Sequence, residues 1–129
     1  MANTKKLPIT PTNMKKLAEE IIDFLTEEEL FWDVCIYVDN QAWQSNKYSG
    51  TEVTETQTKK GNKYYVKTDV DVTKQLEYNN PKTITMTFEG PLYHMVNEHA
   101  YDQKLDKLFL NKYGLYFEQG YAWSMAAYE

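Results

Sequence analysis

Between residues 31 and 39, and again between 83 and 89, apolar and polar side chains alternate strictly, and this period of two limits the folds open to the chain more than any other feature. In the first run Trp32, Val34, Ile36 and Val38 fall on one side and Asp33, Cys35, Tyr37 and Asp39 on the other; in the second, Ile84, Met86 and Phe88 point inward. A strand with one apolar side needs a cover, and the chain supplies one just upstream. Met14, Leu17, Ala18, Ile21, Phe24 and Leu25 recur at three and four residues, with Lys15, Lys16, Glu19, Glu20 and Asp23 opposite them, the pattern of an amphipathic helix. Thr10 or Thr12 caps it, Pro11 is tolerated in its first turn, and a capping box from Thr26 to Glu29 predicts a break near 26.

Two further runs, 48–58 and 63–73, flank Lys59-Lys-Gly-Asn62 and predict a hairpin. If two residues close the turn, 60–61 or 61–62, Val53 shares a face with Val66, Val70 and Val72, and Glu52 lies opposite Asp69 or Asp71; a three-residue loop would break this parity. Gly90-Pro91 opens a second helical region, with Leu92, Met95 and Val96 inward and Tyr101, Leu105, Leu108 and Phe109 continuing it to Gly114. Tyr121, Trp123 and Met125 predict a last strand, with Gly120 as a bulge or turn. The fold expected is α+β: a single-layer antiparallel sheet of four to six strands with helices packed on one face, in the order αββββαα(β). Residues 1–10 read as a flexible leader and 11–129 as one domain.

At 129 residues and 15.2 kDa the chain can bury a core without disulfides or metal. No run of about 18 apolar residues could span a bilayer. Cys35 is the only cysteine, and residues 1–13 have lysines but no apolar stretch behind them, so a secretory signal is not expected and the cytoplasm is the expected home. All 14 cations are lysine, against 19 carboxylates. Arginine is the group that forks onto guanine edges and phosphates. Its absence and a net charge of −5 argue against nucleic acid as a partner, despite Lys59, Lys60, Lys63 and Lys67 clustering at one hairpin end. The lysine-only, Tyr-, Thr- and Asn-rich composition fits a bacterial or phage origin.

Much chemistry is missing. The glycines at 50, 61, 90, 114 and 120 make no phosphate-binding spacing, and no serine sits in a nucleophile elbow. His94 and His99 are five apart, which turns one about 140° from the other on a helix, so they are not expected to share a metal. His99 then reads as an edge-of-core residue, His94 as a surface one, and Cys35 as a small apolar filler. No metal or cofactor is expected. What remains is the polar side of the sheet, where Asp33, Tyr37, Asp39, Glu52, Tyr65, Lys67, Asp69, Asp71 and Glu89 are candidate binding residues. Trp43 joins them as a loop aromatic beside Tyr48 that could anchor a partner.

The residues carry no family signature that we recognise. They are read first as a small cytoplasmic, non-enzymatic protein-binding module, with a regulatory or inhibitory role as a candidate. The alternative is a small-ligand-binding protein or enzyme using Asp33, Asp39, Asp69 and Glu89 with Tyr37 and Tyr65, since closely placed carboxylates can act as an acid/base pair. A third reading is a structural subunit that forms a homo-oligomer through its C-terminal aromatic segment.

Overall fold

The computed structural model describes residues 6–48, 50 and 52–129; the first half of the expected leader, residues 1–5, lies outside them. Helix α1 (Pro11–Glu27) starts where Thr10 accepts a hydrogen bond from the Asn13 amide at 3.1 Å. It buries Met14, Leu17, Ala18, Ile21, Ile22 and Leu25, of which each large side chain contributes about 1.5–3 kcal/mol when fully covered. Thr26 is not a cap: its hydroxyl donates back to the Ile22 carbonyl. The helix still ends close to 26, at Glu27, where Glu29 adopts the left-handed region (φ 58°), the Leu30 amide reaches the Leu25 carbonyl at 2.7 Å and the Glu29 amide that of Thr26 at 3.1 Å.

The sheet is antiparallel throughout and has seven strands rather than four to six, so the class is as expected and the strand count larger. In chain order they are β1 (Val34–Val38), β2 (Gln41–Gln44), β3 (Thr54–Gln57), β4 (Lys63–Lys67), β5 (Ile84–Phe88), β6 (Tyr116–Gln119) and β7 (Ser124–Tyr128). Across the sheet they run β3-β4-β2-β1-β5-β7-β6. Val34, Ile36 and Val38 face Phe88, Met86 and Ile84 across β1 and β5, all six buried on the face that also takes α1. Trp32 departs from this stripe and is 60% exposed, because Asp33 has φ 54° and the alternation begins only at Val34.

Asp39 and Asn40, at φ 48° and 57°, form a two-residue turn of the primed type whose twist matches that of paired strands. Trp43 therefore lies in strand β2 opposite Ile36, buried and stacked on Tyr64 with ring centroids 4.8 Å apart. The next hairpin has the opposite parity from that expected. Gln57 pairs with Lys63 across an odd loop, 58–62, whose Thr58 hydroxyl and Asn62 side-chain Nδ2 both donate to the Asp23 carboxylate of α1 at 2.6 Å. Thr54 consequently faces Val66, Glu52 and Val53 precede the strand, and β4 stops at Lys67. The opposition of Glu52 to Asp69 or Asp71 does not exist.

On the α1 side of the sheet, α3 (Pro91–His99) and α4 (Tyr101–Leu105) meet at Ala100 (φ 51°), followed by a π turn (Asp106–Leu110) and a short 3₁₀ turn (Asn111–Tyr113). The wide π turn shifts the helical phase, so Leu110 is buried and Leu108 is 48% exposed instead of inward. Both histidines are exposed, His99 included. β6 and β7 form a hairpin, with Tyr121 and Trp123 in its connection, not in the last strand, and β7 interior to the sheet. At the β6 edge the Asp106 carboxylate accepts the outward Phe117 amide at 2.8 Å.

The second face of the sheet is not open. The segment 68–82, which includes the short helix α2 (Val72–Gln75), straps across it from β4 to β5. The Val70 amide bonds the Asn40 carbonyl at 2.9 Å, the Asn80 amide the Thr85 hydroxyl at 3.0 Å, and the Asn80 side chain the Ala127 carbonyl at 2.8 Å. Ala42, Thr85, Ser124 and Ala126 on that face are buried in consequence. Gly90 sits where two segments approach closely: a Cβ there would run into the Trp32 carbonyl oxygen, which is backbone and cannot step aside. Gly90→Ala should destabilise the fold by about 1–3 kcal/mol. A denaturant midpoint equal to that of the parent chain would show the approach of these two segments to be wrong.

Candidate functional site

Where the strap stops short, at the Val34 end of β1, a cleft of about 310 Å³ is left on the second face. Its position follows from one backbone irregularity. With Asp33 in the left-handed region, the loop after β2 supplies partners for the start of β1: the Asn46 side-chain oxygen accepts the Asp33 amide at 2.8 Å and the Ser45 hydroxyl the Val34 amide at 2.9 Å. That loop brings Tyr48 over the strand end, where its hydroxyl donates to one Asp33 oxygen at 2.9 Å. On the other side the Glu89 amide bonds the Asp33 carbonyl at 3.1 Å, continuing the β1–β5 register by one step. Asp33 and Glu89 are thus opposite each other where the β1–β5 register runs past the strand ends, and both line the cleft. Neither belongs to an ion pair among the described residues.

The floor comes from one cross-strand row. Gln44 pairs with Tyr65 on β4 and with Cys35 on β1, and Cys35 with Thr87 on β5. Burial pushes the Cys35 thiol up to about 12 and, with Cys35 as a neighbour, the Tyr37 phenol well above its ordinary range. Neither ionises near neutral pH. Burial, followed by the bond to Asp33, also pushes Tyr48 up to about 12. The Oε1 of Gln44 is the buried side-chain oxygen that has no hydrogen-bond partner among the described residues. The far wall is Leu76 from the strap and Trp123 from the β6–β7 connection; Trp123 stacks on Tyr121 at 4.9 Å, and Tyr121 in turn meets Tyr78 edge-on at 5.1 Å. Among the described residues no three of His, Cys, Asp or Glu converge as metal ligands.

Of the residues singled out in the sequence, Asp33, Tyr37 and Glu89 meet in this cleft, and Tyr65 extends its floor along the same row. The others are placed elsewhere. Asp39 pairs with Lys15 at 3.0 Å beside the start of α1, and Trp43 belongs to the core. Glu52 and Lys67 are exposed, Lys67 paired with Ala42. Asp69 takes φ 56° in the strap, and Asp71 caps α2, where the Thr73 hydroxyl and amide hold its carboxylate below the usual range. Two of the four clustered lysines are engaged, Lys60 with Glu27 at 3.6 Å and Lys63 with Glu55 at 3.7 Å. Gln44, Leu76 and Trp123 were not anticipated. Gln44 could have been found from Asp39-Asn40, a pair that tolerates left-handed φ and so announces a returning strand.

A thiol held neutral on the floor of the cleft should react slowly. At pH 8 Cys35 is expected to be modified by a disulfide reagent at least about tenfold more slowly in the folded than in the denatured chain. Equal rates would mean that burial does not hold the thiol neutral. No protein family, curated protein sequence or solved structure matches this chain.

Proposed function

We propose that this protein is a non-enzymatic binding module of the cytoplasm that takes hold of a protein partner by a basic side chain, at the cleft between Asp33 and Glu89. The observation that carries this reading is that Asp33 and Glu89, opposite each other in register, line one cleft and have no ion-pair partner among the described residues. Like charges directly opposite across strands are destabilising by up to about 1 kcal/mol. Here the chain keeps the pair at the mouth of a concavity and closes the rest of that face with the strap. Aromatic Tyr48 and Trp123 flank the acids, and aromatic walls favour a cation electrostatically as well as by contact. Proton-transfer chemistry draws no comparable support: the most perturbed groups, Cys35 and Tyr37, are shifted away from neutrality by burial.

Binding and stability should separate cleanly at Glu89. Glu89→Gln removes the like-charge opposition, so the folded state should be unchanged or up to about 1 kcal/mol more stable. Binding of a lysine- and arginine-rich peptide, followed by fluorescence anisotropy, should weaken about tenfold in the Asp33→Asn/Glu89→Gln double variant, since hydrogen bonds to charged groups are worth about 1.5–3 kcal/mol. Asn is tolerated at the left-handed φ of position 33, so a folded double variant that binds as tightly as the parent would refute the assignment.

A further inference from the structure

We infer that the strap, residues 68–82, is a hinged lid: it lifts and recloses as one unit over a sheet that stays folded, and so unmakes and remakes the cleft at the Val34 end of β1. This holds whatever the cleft binds. Little keeps the segment down. Of its fifteen residues ten are exposed and three half-buried, and only Val70 and Val72 are buried. Both line a narrow gap together with Tyr37 and Pro81. Tyr37 belongs to a row, Ala42, Tyr37, Thr85 and Ala126, that crosses four neighbouring strands in register. Three of those four side chains are small, so the strap rests in a shallow trough, whereas α1 on the other face is held by Met14, Leu17, Ile21, Ile22 and Leu25. A segment with so few buried apolar contacts opens at a fraction of the cost of global unfolding.

The polar fastenings of the strap are separable from the sheet. The Val70 amide bonds the carbonyl of Asn40 in an exposed turn, the Tyr128 hydroxyl donates to the Asn79 carbonyl at 3.1 Å, and the Tyr121 hydroxyl donates to the Glu77 carboxylate at 2.6 Å. Asn80 bonds the Thr85 hydroxyl through its amide and the Ala127 carbonyl through its side chain. None of these is a bond of the strand ladders. Lifting the strap therefore breaks no strand pairing, and it orphans no buried group: the Ala127 carbonyl keeps the hydroxyl of Thr83, just beyond the strap, at 2.6 Å, while the Thr85 hydroxyl and the Asn40 carbonyl turn to water. At the other end Asp69, two residues past β4, stands in the left-handed region at φ 56°, where the chain swings onto the sheet. Leu76, in the middle of the strap, is a wall of the cleft, so the cleft is complete only when the strap is down, and a ligand held there favours the closed state.

The test is native-state hydrogen exchange of the full chain, read at the Val70 and Asn80 amides, one toward each end of the strap, and at the amides of Ile36 and Met86 in the central strands. After correction for intrinsic rates, Val70 and Asn80 are expected to share one opening constant, at least about a hundredfold larger than that of Ile36 and Met86, with a shallower urea dependence. Val72→Ala removes a buried strap contact and should speed exchange at both strap amides by the same factor, about tenfold. Ile21→Val, on the buried side of α1, should speed Ile36 and Met86 about three- to tenfold and leave Val70 and Asn80 unchanged, because the core is intact in the lifted state. Strap amides as protected as Ile36 and Met86, or accelerated along with them by Ile21→Val, would show that the segment leaves only on global unfolding, and would overturn the lid. An effect of Val72→Ala confined to Val70 would overturn it too, since the strap would then fray piecemeal. If Val72→Ala does not fold, Asn80→Ala read at Val70 makes the same distinction.

Discussion

The five residues of β1 are pinned at both ends by aspartates in the left-handed region, and most of the architecture depends on where those two kinks fall. A non-glycine residue there costs roughly 1–2 kcal/mol, least for Asp and Asn, whose short polar side chains can bond locally. At Asp39 the expense is shared with Asn40 and yields a tight reversal into β2, which carries Trp43 under α1. At Asp33 it is offset by the Asn46 and Ser45 side chains, which accept the Asp33 and Val34 amides. Between the kinks, β1 is regular enough to pair on both sides, with β2 and β5, and to present Val34, Ile36 and Val38 to the helices.

The two faces of the sheet solve different problems. One is apolar and takes three helical segments. The other is mixed, and the chain closes it with a strap in which Asp71 caps α2 and the Asn80 side chain donates across to the Ala127 carbonyl of β7. Such a cover reaches only as far as its hydrogen bonds hold it. It therefore leaves the Val34 end of β1 uncovered, and Asp33 and Glu89 stand there.

The helix, the stripes on β1 and β5 and the class of fold were legible in the sequence because each is a local periodicity read over seven or more residues. Trp32 was not, because alternation carries no mark of the residue at which a backbone dihedral changes sign. The hairpin partners of Glu52 were lost for a related reason. Parity across a turn depends on whether its loop is even or odd, and here the length is fixed by Asp23, a helix residue distant in sequence that receives Thr58 and Asn62. Of the site, Asp33, Tyr37 and Glu89 could be placed on one face from alternation alone. Gln44 and Trp123 required the order of strands, which long-range pairing decides, and Asp69 and Asp71 were drawn off by a crossing segment that no short-range pattern announces.

The bond from the Phe117 amide to Asp106 has a consequence for how this sheet meets its surroundings. An outermost strand ordinarily advertises vacant donors to any passing extended chain. On β6 one of those donors already holds a half-buried carboxylate, so an intruding strand would have to displace a charge-assisted bond and strand a charge against the helical layer. That rim is stoppered. Lateral growth of the sheet is directed to the opposite rim, where β3 offers only four residues, Thr, Glu, Thr and Gln, too short and too polar to template a fibre.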